Sequence, residues 1–217
     1  KRKAMFSKDP TRWAATPKNR LTLHKDLNKK IALIAREKKH QPVLYKKTRP
    51  RPAYCILSSG VASAYVVDIL DDAGLHKKVD LYTISMPYPL HSKFLQTVHL
   101  RYKKILIIEE TYPVIELQLQ DRKNIHGKLN GFVPQEGELT PDSVNRIIHG
   151  FLKIPIKKAK KPKTGGRRPS LCPGCPHRAS FFAIKKAFPK AIYPGDIGCY
   201  TLGINFGAVD TCLCMGA

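Results

Sequence analysis

The run Ala53-Tyr54-Cys55-Ile56-Leu57-Ser58-Ser59-Gly60-Val61-Ala62-Ser63-Ala64-Tyr65-Val66-Val67-Asp68-Ile69-Leu70 decides the fold class. Ala53–Leu57 is a short apolar run of strand length, and Ser58-Ser59-Gly60 reads as a turn. Val61–Leu70 is amphipathic at helical spacing and stops near Gly74. The rhythm then repeats. Val79–Ser85 reads as a second strand, Pro87 and Pro89 mark a loop, and a helix is predicted from about His91 to Tyr102. Lys104–Glu109 is a third strand, with another helical stretch after Pro113. Thr140-Pro141-Asp142 is a helix start, predicting a helix to about Lys153. Strands alternating with helices predict an α/β fold built on a Rossmann-like parallel sheet with right-handed crossovers.

Outward from this segment the composition changes. Residues 1–20 hold Pro10, Pro17 and many cations, with Trp13 as the one large anchor. A helix is predicted from Thr22 as N-cap to near His40, on the spacing of Leu23, Leu27, Ile31 and Ile34. Pro42, Pro50 and Pro52 mark an extended linker. Residues 154–170 are rich in Lys, Pro and Gly and read as an interdomain linker. A further segment opens at Leu171, with a helix from about His177 to Phe188, a strand at Ala191–Tyr193 and a Gly-rich turn at Pro194–Gly198. It runs to Ala217 without a closing element, which predicts an incomplete domain.

A chain of 217 residues with 42% hydrophobic and 25% charged residues fits a globular protein. No apolar run approaches a membrane span, and Lys1-Arg2-Lys3 is followed by no signal-peptide core, so a cytoplasmic location is expected. The net charge of +23 is unevenly spread. Residues 1–52 carry 17 basic and 3 acidic side chains, and residues 153–170 carry 8 basic and none acidic. Residues 53–152 carry 10 basic and 11 acidic, so the excess lies in tail and linker. Three readings fit such a tail: a Lys-rich solubilising surface, salt-sensitive contact with nucleic acid, or steering toward an acidic redox partner. No recognised nucleic-acid module is present.

Five of the six cysteines, Cys172, Cys175, Cys199, Cys212 and Cys214, fall in the last 46 residues. Cys55 lies in a strand and reads as a small buried hydrophobe. A C-x-x-C pair serves metal, iron–sulfur or redox chemistry. A zinc ribbon fits poorly, because 23 residues separate Cys175 from Cys199 and the last pair is C-x-C. Cys172, Cys175 and Cys199 could supply three thiolates to an iron–sulfur site, or all could be reduced thiols in a tight loop near a cofactor. Gly195-Asp196-Ile197-Gly198-Cys199, with Gly203 beyond, allows close backbone approach to a ligand such as a diphosphate. Met215-Gly216 reads as a helix entry. His177 starts a helix after Pro176, where it could touch a ligand or face solvent. Glu109 and Glu110 close the third strand, a place where α/β folds put functional groups, although an exposed pair is commoner.

Taken in order, LCPGCPHRASFFAIKKA, YPGDIGCYTLG and AVDTCLCMGA resemble the start of the diphosphate-binding domain in the large subunit of the indolepyruvate:ferredoxin oxidoreductase family. LSSGVASAYVVDIL, VIELQLQDRKNIHGK and the GELTPD turn are similar to that family's middle domain, which is transketolase-C-terminal-like. Residues 9–40 resemble the tail of the preceding pyrimidine-binding domain. The resemblance therefore divides the chain into residues 1–50 (that tail plus linker), 51–153 (middle domain), 154–170 (basic linker) and 171–217 (start of the diphosphate-binding domain).

The resemblance implies a thiamine-diphosphate-dependent enzyme that decarboxylates aryl 2-oxo acids oxidatively to acyl-CoA and CO2. Electrons would pass through iron–sulfur clusters of the [4Fe-4S] type to ferredoxin, with a small β subunit as partner. By the same analogy Cys172, Pro173, Gly174, Cys175, His177, Gly195, Asp196, Ile197, Gly198, Cys199, Cys214, Met215 and Gly216 approach the cofactor. Equivalents of Cys172, Cys175 and Cys199 ligate a cluster in separate β subunits of related enzymes. The sequence departs from the family's pattern at Asn205-Phe206-Gly207, which is shorter than the Pro-rich stretch expected there. It also ends before the motif whose oxygens hold Mg2+, so the 217-residue chain alone is expected to be inactive. The alternative is a metal- or cluster-binding interaction module whose basic tail contacts nucleic acid.

Overall fold

The computed structural model describes residues 5–156 and 169–214. The chain divides into two compact units, Lys1–Lys158 and Ala159–Ala217, and each is described by itself. Most of the predicted linker, together with Met215 and Gly216, lies outside the described residues.

The first unit begins with α1 (Pro10–Trp13), whose N-cap Asp9 accepts the Thr11 N–H at 3.0 Å. Next comes α2 (Pro17–Arg36). Its N-cap is Thr16, six residues before the predicted Thr22, because Pro17 occupies the first turn, where its missing N–H costs nothing.

A five-stranded sheet follows. Its strands are β1 (Val43–Leu44), β2 (Tyr54–Ser59), β3 (Val79–Ile84), β4 (Lys104–Ile108) and β5 (Ile125–His126), in the order β1-β3-β2-β4-β5. Four strands are parallel, and β1 runs antiparallel to β3 at the edge, so the sheet is mixed rather than purely parallel. Both short edge strands escape sequence reading, since two residues have no measurable period.

The helices are α3 (Val61–Asp72), α4 (Ser92–Arg101) and α5 (Pro141–Leu152). The crossovers β2-α3-β3 and β3-α4-β4 run in opposite directions across the sheet, so equal handedness puts α3 and α4 on opposite faces. The core shows that division. Ile56, Leu81, Leu106 and Ile108 pack with Val66 and Leu70 of α3 and with Ile148 and Phe151 of α5. Cys55, Leu57, Ile105 and Ile107 pack with Val98 and Tyr102 on the other face. Alternate residues of β2 and β4 thus serve different cores, and burying each Leu or Ile side chain contributes about 1.5–3 kcal/mol.

Several local readings change. The turn at Ser58-Ser59-Gly60 shortens to Gly60 (φ +65), because Ser58 and Ser59 pair with Thr83 and Ile84. The helix expected after Pro113 is only a 3-10 turn at Glu116–Gln118. Glu109 is not an exposed strand-end residue: it is 2% exposed and accepts the Ile115 and Glu116 N–H groups, drawing the loop back onto β4. Thr140 caps α5 as predicted.

The second unit contains α6 (Pro176–Ala187) and a parallel pair, β6 (Pro194–Gly195) and β7 (Thr211–Cys212). The strand predicted at Ala191–Tyr193 is displaced to Pro194–Gly195, because Asp210 takes the Tyr193 N–H on its carboxylate before the ladder begins.

Candidate functional site

The second unit gathers most of the predicted site residues into two turns beside α6. Cys172-Pro173-Gly174-Cys175 is closed by a hydrogen bond from the Cys175 N–H to the Cys172 carbonyl at 3.2 Å. Pro173 presets the second position, and Gly174, at φ +69, takes the left-handed third position of a type II turn. Cys175 then stands as the N-cap residue of α6, with Pro176 in the first turn.

His177 faces back onto this turn. Its Nδ1 lies 3.2 Å from the Cys175 Sγ, and its ring meets Tyr200 edge-on with centroids 5.1 Å apart. Arg178, one residue on, donates from Nη2 to the Leu171 carbonyl at 2.7 Å and from Nε to the Cys172 carbonyl at 3.3 Å. Its guanidinium also lies 5.0 Å from the centre of the Phe206 ring. Sequence reading did not single out Arg178. The available signal was position: Arg178 follows Cys175 by three residues, one helical turn, and so reaches the turn's carbonyls.

The glycines divide into two kinds. A Cβ at Gly174 or Gly198 would meet nothing within 4 Å, and Gly198 sits at φ +122. Those two leave backbone open to an approaching group. Gly195 and Gly203 instead make room for protein. A Cβ would fall 2.8 Å from Val209 Cγ1 at Gly195, and 2.7 Å from Val209 Cγ2 at Gly203.

Around them, the Thr201 hydroxyl donates to the Asp196 carbonyl at 3.0 Å and lies 3.1 Å from the Cys212 Sγ. The Ile197 N–H points to the Cys214 carbonyl at 3.5 Å, and the Ile197 side chain is exposed. Cys172, Cys199 and Cys214 are exposed, and Cys175 and Cys212 are half-buried.

Among the described residues no three His, Cys, Asp or Glu side chains gather into a set that could hold a metal ion, and that includes Cys172, Cys175 and Cys199. Cys172, Cys175 and Cys199 are thus not drawn together into one set of ligands in this structure. The open turns at Gly174 and Gly198 do fit a group bound through backbone. No described helix is long and apolar enough to cross a membrane.

In the first unit, Cys55 is fully buried, and burial pushes its thiol well above the usual range. A crevice of about 580 Å3 opens beyond β4, lined by Glu110, Thr111, Tyr112, Lys128, Glu136 and Glu138 among others. Glu110 is engaged there, accepting the Leu139 N–H at 2.7 Å.

No family model matches the chain. It is 38% identical over 232 aligned residues to the indolepyruvate oxidoreductase subunit IorA of Thermococcus kodakarensis, an alignment covering 98% of this chain and 35% of that protein. The subunit of the same name from Methanothermobacter thermautotrophicus is 32% identical, with 98% of this chain and 37% of that protein covered. The chain thus spans about a third of the length of these relatives. Among solved structures, a 2-oxoglutarate:ferredoxin oxidoreductase from Magnetococcus marinus superposes with a TM-score of 0.47 and 14% identity, over 63% of this chain and 24% of that one.

Proposed function

Because the chain belongs to the family of the archaeal indolepyruvate oxidoreductase subunit IorA, we propose that it is the portion of such a subunit that leads into the cofactor's diphosphate site. The whole enzyme, on this reading, decarboxylates aryl 2-oxo acids of the indolepyruvate kind to acyl-CoA and CO2 and passes the electrons through iron–sulfur clusters to ferredoxin. It works in the cytoplasm with a small β subunit. Residues 51–153 are the transketolase-C-terminal-like domain, residues 1–50 the tail of the pyrimidine-binding domain, and residues 171–217 the start of the diphosphate-binding domain, beyond the 154–170 linker.

When bound, thiamine diphosphate supplies the nucleophilic carbon and the electron sink that decarboxylation requires. The residues of this chain hold and orient it. Gly174 and Gly198 bring backbone close to the diphosphate, and His177 and Asp196 line its approach with Ile197 and Cys214. Arg178 fixes the Cys172 turn through two carbonyls, so that turn is preorganised before any ligand arrives. Met215 and Gly216 belong to the same approach by analogy. No step is assigned to iron–sulfur chemistry on Cys172, Cys175 and Cys199; the clusters and the Mg2+ ligands are assigned to other parts of the enzyme.

The observation that carries this reading is a likeness running along 98% of the chain, joined to two glycine turns whose outer faces are open. The test is a chimera: the matched span of the Thermococcus kodakarensis subunit is replaced by these 217 residues and co-expressed with that enzyme's partner subunit. Indolepyruvate-dependent, CoA-dependent reduction of a viologen dye is expected. A chimera that assembles and carries its iron but reduces no dye with any aryl 2-oxo acid overturns the reading.

A further inference from the structure

We propose that α2 carries a nucleic-acid contact, in which Lys18, Lys25, Lys29 and Arg36 form a row of cations that seats on the phosphate backbone of a duplex without reading its sequence. This contact is independent of the cofactor chemistry at the other end of the chain.

Helical period makes the row. α2 runs from Pro17 to Arg36 and buries none of its twenty residues. At 3.6 residues per turn each residue advances about 100°, so Lys18, Lys25, Lys29 and Arg36 fall within about 20° of one line. The row is about 27 Å long at a rise of about 1.5 Å per residue. All four side chains are exposed. Asp26 is the one acidic residue of the helix, and its Oδ1 lies 3.6 Å from Lys29 Nζ. Both members of that pair are more than half exposed, so it holds Lys29 only weakly.

The opposite face indicates the partner. Leu23, Leu27, Ile31 and Ile34 stand about 140–220° round the helix from the row, so the apolar stripe and the cations are back to back. A helix that lies in a bilayer surface inserts its apolar face, with Trp and Phe prominent there. The stripe of α2 holds no aromatic residue and is already half-buried at Leu23 and Ile31. Protein interfaces centre on apolar and aromatic side chains and are poor in Lys. Three of the four cations here are lysines, and the exposed Leu21 and Leu33 stand singly on either side of them.

A phosphate backbone requires little more than cations in line. A duplex presents one charge per about 1.7 Å of its axis, so the row meets more phosphates than it can neutralise. Residues 1–52 carry 17 basic and 3 acidic side chains, so a polyanion approaching this segment meets little repulsion.

The test titrates the 217-residue chain into a short fluorescein-labelled DNA duplex and into the matching RNA duplex, reading anisotropy at roughly 50–200 mM salt. Binding to either is expected, and the tighter of the two identifies the source of the backbone. Replacing the row by glutamine (Lys18→Gln, Lys25→Gln, Lys29→Gln and Arg36→Gln together) is expected to flatten the plot of log affinity against log salt by about 3.6, or about 0.9 per lost phosphate contact. Glutamine keeps the helix propensity of lysine, and an unchanged circular dichroism spectrum verifies that α2 is intact. Lys18→Arg, Lys25→Arg and Lys29→Arg together keep the charge and are expected to keep the slope. The control neutralises Lys77, Lys78, Lys103 and Lys123, which are exposed elsewhere in the first unit. It removes the same net charge and is expected to change the slope by less than about one.

The proposal is overturned if neither duplex binds, or if the two glutamine variants lose slope equally, which would make net charge the cause. A row variant that keeps the wild-type slope also overturns it, because the contacts then lie elsewhere on the chain. It is equally overturned if phosphatidylglycerol vesicles or polyglutamate bind more tightly than both duplexes at the same salt. None of these outcomes depends on the activity of the chimera.

Discussion

The Glu109 carboxylate accepts the Ile115 N–H at 2.8 Å through Oε2, and its other oxygen accepts the Glu116 N–H at 3.0 Å. An acidic residue at the end of β4 thereby satisfies two amides of a loop that has no helix of its own.

Burial raises the Glu109 carboxyl above its ordinary value of 4.5, while those two hydrogen bonds pull it back down. The folded state therefore holds the proton more tightly than the unfolded state. The contribution of Glu109 to stability is full below about pH 4.5 and declines as pH rises through the folded-state value. Urea titrations from pH 4.5 to 7.5 are expected to show wild type losing ground against Glu109→Gln as pH rises. Glu109→Ala leaves both amides without an acceptor and is expected to cost about 1–3 kcal/mol. A wild-type-minus-Gln difference that stays constant with pH would refute the assignment.

Asp80, 1% exposed on β3, accepts Arg51 Nη2 at 2.8 Å and the Tyr102 hydroxyl at 2.5 Å on one oxygen. Its other oxygen, Oδ1, is buried and has no hydrogen-bond partner among the described residues. Arg51→Met is expected to cost about 2 kcal/mol, below the ~3–5 kcal/mol of a fully buried broken pair, because solvent screens the guanidinium. The Arg51 side chain is 31% exposed. Tyr102→Phe is expected to cost about 1 kcal/mol. The double variant should fall short of or exceed the sum, since both donors serve one oxygen. Strict additivity in urea denaturation would show that the three groups do not act as a unit.

How much of this was legible in the sequence depended on the length of each signal. Ile105–Ile108 and the Thr140-Pro141 start carry their structure in local pattern, and β4 and α5 stand where the pattern put them. The edge strands β1 and β5 exist through pairing with β3 and β4, which two residues cannot announce. The 3-10 turn at Glu116 replaced a helix because of a tertiary contact from Glu109, invisible to periodicity. In the second unit the Pro173-Gly174 turn was readable from residue type alone. Whether a glycine makes room for a ligand or for Val209 was not, because spacing does not reveal what faces the missing side chain.

Thr111 adopts φ +66 where the chain leaves β4 for the crevice. A β-branched side chain is costly in the left-handed region, by about 1–2 kcal/mol, whereas Asn tolerates it. Thr111→Asn is expected to raise stability by about 1 kcal/mol, read as a higher urea midpoint at unchanged slope. A lower midpoint would mean that the Thr111 side chain supports this backbone rather than straining it.

Gly203 lies under Val209 and Phe181, where an added Cβ would come within 2.7 Å of Val209 Cγ2 and 2.9 Å of Phe181 Cε2. Gly203→Ala forces one of them aside and is expected to cost about 1–3 kcal/mol, seen as faster amide exchange in α6 and residues 194–212. Trimming the opposing residue should restore space, so Val209→Ala in the same chain is expected to recover part of that loss. Gly198→Ala is the control. Its added methyl would meet nothing, so its cost comes from φ +122 alone, and Val209→Ala should not relieve it. If Val209→Ala rescues both alanines, or neither, then packing against Val209 does not explain why residue 203 is glycine. If it rescues Gly203→Ala only, the glycine at 203 is a packing requirement, while the turn at 198 needs glycine for its backbone.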